Sequence, residues 1–428
     1  MRSHYKRIGD YVTLVKLKNS DGAISSLKGI NINKHFMPSV ANVNGTDLST
    51  YRVVKKNQFA FNPMHVGRDE VLPISMLEDD EPIIVSPAYV VFEVKDEEEL
   101  LPAYLMMWCR RSEFDRNAWF MTDNSVRGGF SWADFCDMEL PVPSIEKQRE
   151  IVREYNVVND RIALNEQLTQ KLEDTAQAIY KQWFIDFEFP ISKEYAESIG
   201  KPELEGKPYK ASGGEMFFCE ECDQELPVGW EFDYFSRLIK VQSGFAFKSF
   251  EFVPEGGQKI IKIKNITPPT INLEQAMCFS GELNEKLKKY QAKFGDILIS
   301  MTGSTANQMN SAVGQVGRYL LDYMSLLNQR VGLLNILDSA ISREFCYQFI
   351  SAQDTHLELL SGSTGSANQA NISPSQIEGL RLPIPTDEVM VAYDRAAESI
   401  VDCIALYHQE TSKLEELKKI INIKMSKA

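Results

Sequence analysis

The 428-residue chain lacks the signatures of the common catalytic classes. It has no G-x-x-x-x-G-K-[ST] loop and no G-x-G-x-x-G opening a helix, so the familiar phosphate cradles are excluded. Its five histidines, at positions 4, 35, 65, 356 and 408, are isolated from one another and read as surface or core residues rather than metal ligands. Seven cysteines, an odd number scattered through a large chain, suggest a reducing cytoplasm. Cys219-Glu220-Glu221-Cys222 is a lone C-x-x-C. A zinc site needs two more ligands, and no second pair follows at useful spacing, so free thiols are expected. No run of about 18 apolar residues occurs, which argues against a membrane span. The basic start from Met1 to Arg7 is followed by no apolar run, so a signal peptide is not expected either. Asn62-Pro63 continues as Met64-His65 rather than as a proline and an aromatic, which removes an adenine-methyltransferase loop.

Excess positive charge is missing too. The formal net charge is −14, and its distribution decides what that means. Residues 1–144 hold 16 basic and 20 acidic side chains, 145–190 hold 6 and 9, and 191–230 hold 4 and 9. Residues 231–385 hold 14 of each, and 386–428 hold 6 and 8. Much of the acidity therefore lies in helices and a connecting stretch. A face for DNA is possible on the neutral second segment, but non-specific phosphate binding by the chain alone should be weak.

What is present is a repeat. Leu140-Pro141-Val142-Pro143-Ser144 opens a stretch with no Gly or Pro as far as Trp183. Ile151, Tyr155, Val158, Ile162, Leu172, Ala176, Ile179 and Trp183 recur there at alternating steps of four and three, with polar Asn165 and Thr169 keeping the register. That heptad seam belongs to a helix that pairs with another helix. The polar positions read equally as a layer that sets register or as a solvated gap where helices splay. At a shift of 242 residues Leu382-Pro383-Ile384-Pro385-Thr386 repeats the opening. Ile404-Ala405-Leu406 and Lys413-Leu414-Glu415 then repeat Ile162-Ala163-Leu164 and Lys171-Leu172-Glu173. The chain is a tandem duplication, each half ending in a long helix.

In order, residues 1–143 form a mixed domain. Strands are expected at Tyr11–Leu17, Gln58–Phe61 and Ile83–Val94, the last broken by Pro87, with a helix from Glu98 to Phe114. The central spacer helix occupies 144–189. Residues 190–228 are rich in Lys, Glu, Gly and Pro and read as a linker with little core of its own. The second domain, 229–385, repeats the grammar of the first, and 386–428 form the distal helix. Phe345–Ile350 matches the Tyr104 helix, and the loop from Ser361 to Asn371 matches the loop around Asn124.

No catalytic constellation emerges, so binding is the residual reading. Lys259-Ile260-Ile261-Lys262-Ile263-Lys264 reads as an alternating strand with three lysines on one face. Lys262 and Lys264 suit phosphates, and Lys248 is a further DNA-binding candidate. Ser304, Asn307 and Gln308 follow the strand Asp296–Ile299 and carry hydroxyls and amides that suit phosphate contacts, while Asn307 and Gln308, with Arg330, Asn368 and Gln369, can pair with base edges. Arg68, Asn124 and Arg127 are the corresponding candidates in the first domain. Gly/Ser/Thr/Asn loops are also ordinary surface turns. Their recurrence in both halves is what favours binding.

Several motifs carry a resemblance. They are the Leu-Pro-Val-Pro-Ser-x-x-x-Gln opening, Trp183-Phe184-Ile185-Asp186-Phe187-Glu188, Gly206-Lys207-Pro208-Tyr209 and Ser212-Gly213-Gly214. Pro227-Val228-Gly229-Trp230, Ser243-Gly244-Phe245-Ala246-Phe247-Lys248 and Gly295-Asp296-Ile297-Leu298-Ile299-Ser300 join them. As a set they resemble the specificity (S) subunit of Type I restriction–modification systems over nearly the whole chain, least over residues 1–60. The second helix lacks the Trp-Phe-x-Asp-Phe ending, and Met390 stands opposite Gln148 where the family usually keeps a Gln. The resemblance implies an α+β fold: two tandem-repeated α/β target-recognition domains joined by two long helices in an antiparallel coiled coil. It implies a non-catalytic cytoplasmic subunit that reads a split sequence in double-stranded DNA. Its partners would be two methyltransferase subunits and further restriction/translocase subunits, with no membrane. S-adenosylmethionine, ATP and Mg would belong to those partners, with no cofactor in this chain. Two competing classes remain: an enzyme with an unfamiliar site, and a scaffold whose repeated domains bind protein without reading DNA.

Overall fold

A 36-residue helix, Ile145–Tyr180, runs without a break because its sequence has neither Gly nor Pro and carries an apolar seam at heptad spacing. A second long helix, Asp387–Lys427, has 41 residues. The computed structural model describes residues 5–39, 46–64, 66, 70–122, 129–304, 312–366 and 369–427. It divides into two compact units, one of Met1–Arg161 with Leu414–Ala428, the other of Ile162–Lys413. Among the described residues no helix is long and apolar enough to cross a membrane.

The first unit is built on an antiparallel sheet in the order Val12–Leu14, Val90–Val94, Phe59–Phe61, Ile74–Met76. Its core is aromatic: Phe59 stacks on Phe92 at 4.8 Å and Phe61 on Phe135 at 5.4 Å, all four fully buried. The run expected from Ile83 to Val94 is two strands, Ile83–Val85 and Val90–Val94, on either side of Pro87. The helix expected from Glu98 to Phe114 is also two, Pro102–Cys109 and Ser112–Phe120. The break falls at Arg111, which is extended; its guanidinium lies 4.7 Å from the Trp108 ring and pairs with Glu113. The start of the long helix is tied in by Gln148, whose Oε1 accepts from Leu101 N–H at 2.9 Å. Its Nε2 donates to the carbonyls of Glu99 at 2.9 Å and Pro143 at 3.0 Å. Lys424 of the distal helix pairs with Glu154 at 3.0 Å and Glu150 at 3.5 Å.

In the second unit a six-stranded sheet orders Ile239–Ser243, Val331–Ile336, Asp296–Ser300, Val316–Tyr319, Thr270–Ile271 and Ile266–Thr267. A five-stranded sheet contains Phe252–Val253, Cys278–Phe279, Gln258–Ile261, Ser325–Leu327 and Gln291–Ala292. The central helix widens into one π turn over Lys181–Ile185, which turns Trp183 and Phe184 into the core. Phe184 packs edge-on against Phe345 at 4.7 Å and Tyr393 at 4.8 Å. The segment from 190 to 228 departs from the reading of a coreless linker. Ile191, Ala196, Tyr209 and Leu226 are buried, and Phe189 stacks between Tyr209 at 4.6 Å and Trp230 at 5.6 Å. Gly/Pro/Lys-rich composition concealed a few aromatic contacts that suffice to hold it. Cys219 and Cys222 lie at the hairpin formed by Met216–Cys219 and Gln224–Pro227.

Buried polar contacts hold the long helices to one another and to the second unit's sheet. Asn165 is 1% exposed and donates to Glu410 at 2.9 Å and to Thr411 at 3.3 Å. Of the two readings left open for this position, the closed polar layer is the one observed. Arg318, from the six-stranded sheet, binds Glu173 of the central helix at 2.8 Å and Glu344 at 2.5 Å, with the Tyr347 ring 3.4 Å away. All three charged side chains are nearly fully buried. Burial pushes the Glu173 carboxyl above its ordinary range, and Arg318 opposes that shift without cancelling it.

Candidate nucleic-acid interface

The end of the strand Asp296–Ser300 is where the second unit gathers its polar candidates. Met301 N–H donates to the Arg330 carbonyl at 2.9 Å, and the Met301 carbonyl accepts from Ile372 N–H at 3.0 Å. Thr302–Gly303 then pairs with Gln369–Asn371, which pairs in turn with Thr364–Ser366, making a small three-stranded sheet. Two loops remote in sequence thus become neighbours through backbone pairing. Ser304 follows Gly303, the partner of Ala370, and Gln369 precedes Ala370. Arg330 is exposed beside them.

Three lysines form a second group around the five-stranded sheet. Lys262 Nζ lies 3.7 Å from the Phe252 ring, and Lys248 Nζ lies 5.7 Å from the Phe250 ring. The strand containing Lys259 ends at Ile261, so the three lysines of Lys259–Lys264 do not share one strand face. The Asn265 side chain explains the turn: its Oδ1 accepts from Lys262 N–H at 2.9 Å and its Nδ2 donates to the Asn272 carbonyl at 3.0 Å. Burial and the neighbouring charge of Lys264 hold the Lys262 ammonium below the ordinary lysine range. A group already deprived of water and set beside a like charge gains from an approaching anion.

The two groups meet at Asn328, whose N–H donates to the Ile261 carbonyl at 3.0 Å, just before Lys262 on one side and Arg330 on the other. Gly244 lets the chain leading to Lys248 lie against this turn, since a Cβ there would stand 2.3 Å from the Asn328 carbonyl oxygen. Among the described residues no carboxylate pairs with Lys248, Lys262, Lys264 or Arg330. Sequence reading passed over Lys286, 5.5 Å from the Phe245 ring, and Lys289, 5.0 Å from the Tyr290 ring. A local charge count finds them: residues 240–293 hold nine lysines and five glutamates, a net of +4. Arg68, Asn124, Arg127, Asn307, Gln308 and Asn368 lie outside the described residues. Among the described residues no group of three or more His, Cys, Asp and Glu side chains is placed to hold a metal.

Residues 227–425, which contain this entire surface, match the family model described as the Type I restriction modification DNA specificity domain. The chain is similar to the Type I specificity subunits. It is 24% identical over 435 residues to the Type I restriction enzyme HindI specificity subunit of Haemophilus influenzae, covering 91% of this chain and 90% of that one. The MjaVIII specificity subunit of Methanocaldococcus jannaschii is 23% identical over 290 residues, 67% of this chain and 61% of its own length. In structure, the S subunit of a Type I restriction–modification system from M. genitalium aligns over 99% of this chain and 95% of that one. The TM-score is 0.51 at 12% identity, a likeness of fold. The motifs quoted from the sequence resemble the same family, and the match includes three of them, Pro227–Trp230, Ser243–Lys248 and Gly295–Ser300.

Proposed function

We infer that this chain is the DNA-reading subunit of a Type I restriction–modification enzyme. The observation that carries this reading is the specificity-domain match over 227–425, laid on a surface of polar side chains and of cations that pair with no carboxylate among the described residues. Residues 1–143 and 229–385 each read one half of a split sequence in duplex DNA. Ser304, Arg330 and Gln369, with Asn307, Gln308 and Asn368, address base edges, while Lys248, Lys262 and Lys264 hold phosphates. Arg68, Asn124 and Arg127 serve the first domain.

The helices of 144–189 and 386–428 form an antiparallel coiled coil that separates the two domains and docks two methyltransferase subunits. Contacts inside each unit support the direction: Glu154 meets Lys424, whereas Asn165 meets Thr411 and Trp183 meets Tyr393. Restriction/translocase subunits join that core. S-adenosylmethionine, ATP and Mg act in the partners, and the chain itself contributes recognition rather than chemistry, in the cytoplasm.

Co-expression with a methyltransferase subunit, followed by mapping of methylated adenines or cytosines in the host DNA, tests the reading. Methylation confined to one bipartite sequence is expected. A stable complex that leaves DNA unmodified and unbound would favour the scaffold instead.

A further inference from the structure

The first domain's charge is unevenly spread in a way the domain total conceals. Residues 1–58 hold ten lysines and arginines against Asp10, Asp21 and Asp47, a net of +7 in a chain of −14. Four of these cations fall on adjacent segments of the first unit. Lys18 stands directly opposite Arg52 in an antiparallel bridge, and Val53 N–H donates to the Leu17 carbonyl at 3.0 Å. Arg52–Val54 pairs with Ile83–Val85, placing Arg52 opposite Val85. On the far side of Ile83–Val85, Leu27 bridges Ile84, which brings in Lys28. Lys16 lies two residues before Lys18 on the outermost segment and is exposed, as is Lys18.

Like charges directly opposite across a strand pair are unfavourable. Here nothing described offsets them: no carboxylate pairs with Lys16, Lys18, Lys28 or Arg52, and Arg52 Nε spends its bond on the Pro87 carbonyl at 3.0 Å. The nearby acidic run Glu78-Asp79-Asp80-Glu81 precedes Ile83, at the other end of the same strand pair, where Asp80 pairs with Lys56 at 2.7 Å. The +4 stretch of the second unit likewise occupies the first part of its domain, ahead of the polar candidate loops.

We propose that Lys16, Lys18, Lys28 and Arg52 form the surface on which the first domain holds the phosphate backbone of duplex DNA. This rests on the DNA-reading assignment above and adds to it: these residues position the duplex and read no base. The partner's chemistry follows from the pattern. Cations on neighbouring strands, set around the exposed Leu17, suit a regular array of exposed anions.

The test uses the chain assembled with its methyltransferase subunits. Lys16→Gln, Lys18→Gln and Arg52→Gln are combined, and binding to a non-specific duplex and to the assembly's own methylated target is measured across salt concentration. Each lost phosphate contact should flatten the log–log salt dependence by about 0.9, so the triple variant should lose about 2–3 from its slope on both duplexes. The methylated sequence should not change. Lys16→Gln with Lys18→Gln, both exposed, should fold normally and lose about 2. Lys56→Gln, at the acidic end, should change neither slope. An unchanged slope would overturn the proposal, and so would an altered methylated sequence. Loss of methyltransferase subunits with DNA binding intact would assign the surface to a protein instead. If the unaltered assembly binds no duplex, the underlying reading fails and this surface fails with it.

Discussion

Gln148 and Met390 occupy equivalent positions of the two repeats, 242 residues apart, yet each long helix is tied to its domain by different chemistry. In the first unit the buried Gln148 amide takes the Leu101 N–H and donates to two carbonyls, so one helix side chain finishes the start of the Pro102–Cys109 helix. In the second unit Met390 is simply buried in the aromatic core. The start of the Arg343–Ser351 helix is finished by Ser342, whose hydroxyl accepts from Phe345 N–H at 3.1 Å and donates to Asp394 at 2.7 Å. A second pair of equivalents diverges the same way. Glu173 is buried against Arg318, while Glu415 makes only a 3.6 Å pair with Lys418 on its own helix. The two halves share the 242-residue spacing, and the contacts between helix and domain differ between them.

The comparison can be broken at several points. The largest effect should come from Arg318→Met, which leaves Glu173 and Glu344 buried without their cation. The cost should be about 3–5 kcal/mol, read as loss of the second unit's cooperative unfolding. Glu415→Gln should change stability by less than about 0.5 kcal/mol, because a half-buried i,i+3 pair at 3.6 Å on one helix is worth little. Equal effects from the two would remove the asymmetry.

Gln148→Met gives the first unit the second unit's residue and leaves the Leu101 N–H without an acceptor. A loss of about 1–3 kcal/mol is expected. The reciprocal Met390→Gln should cost a similar amount for the opposite reason, an amide buried among aromatic rings. If either exchange is neutral in thermal melting, the two attachments are interchangeable.

Asn165→Leu should raise the melting temperature, since a polar layer lowers the stability of an apolar seam. Among the described residues Asn165 Oδ1 has no hydrogen-bond partner, a buried acceptor that leucine removes. A drop would mean that its bonds to Glu410 and Thr411 outweigh leucine packing.

The smallest effect concerns pH. Burial pulls the His408 imidazole below its ordinary value, so the folded chain resists a proton that the unfolded chain accepts. Stability should be complete above about pH 6.5 and fall as the pH drops below it. His408→Phe should flatten that part of the profile.

How much of this was legible in the sequence follows from what each element is made of. The seam residues Ile151, Tyr155, Val158 and Ile162 are buried as their heptad spacing requires, since periodicity reports a helix face directly. The break at Arg111 was not legible, because Arg stacking on Trp108 competes with a helix that propensity alone would continue. Segment 190–228 was hidden by composition, and the turn after Ile261 by a single Asn265 side chain. The three-stranded sheet joining Ser304 to Gln369 could not be read at all. Its residues carry no period, and backbone hydrogen bonds pair its strands.

The central claim is that two separate domains read two halves of one DNA sequence. Exchanging residues 1–143 for the corresponding domain of a relative, within the assembled methyltransferase, tests it most directly when methylated sites are mapped across a genome. One half of the methylated sequence should change and the other should stay. A change in both halves, or in neither, would contradict the account.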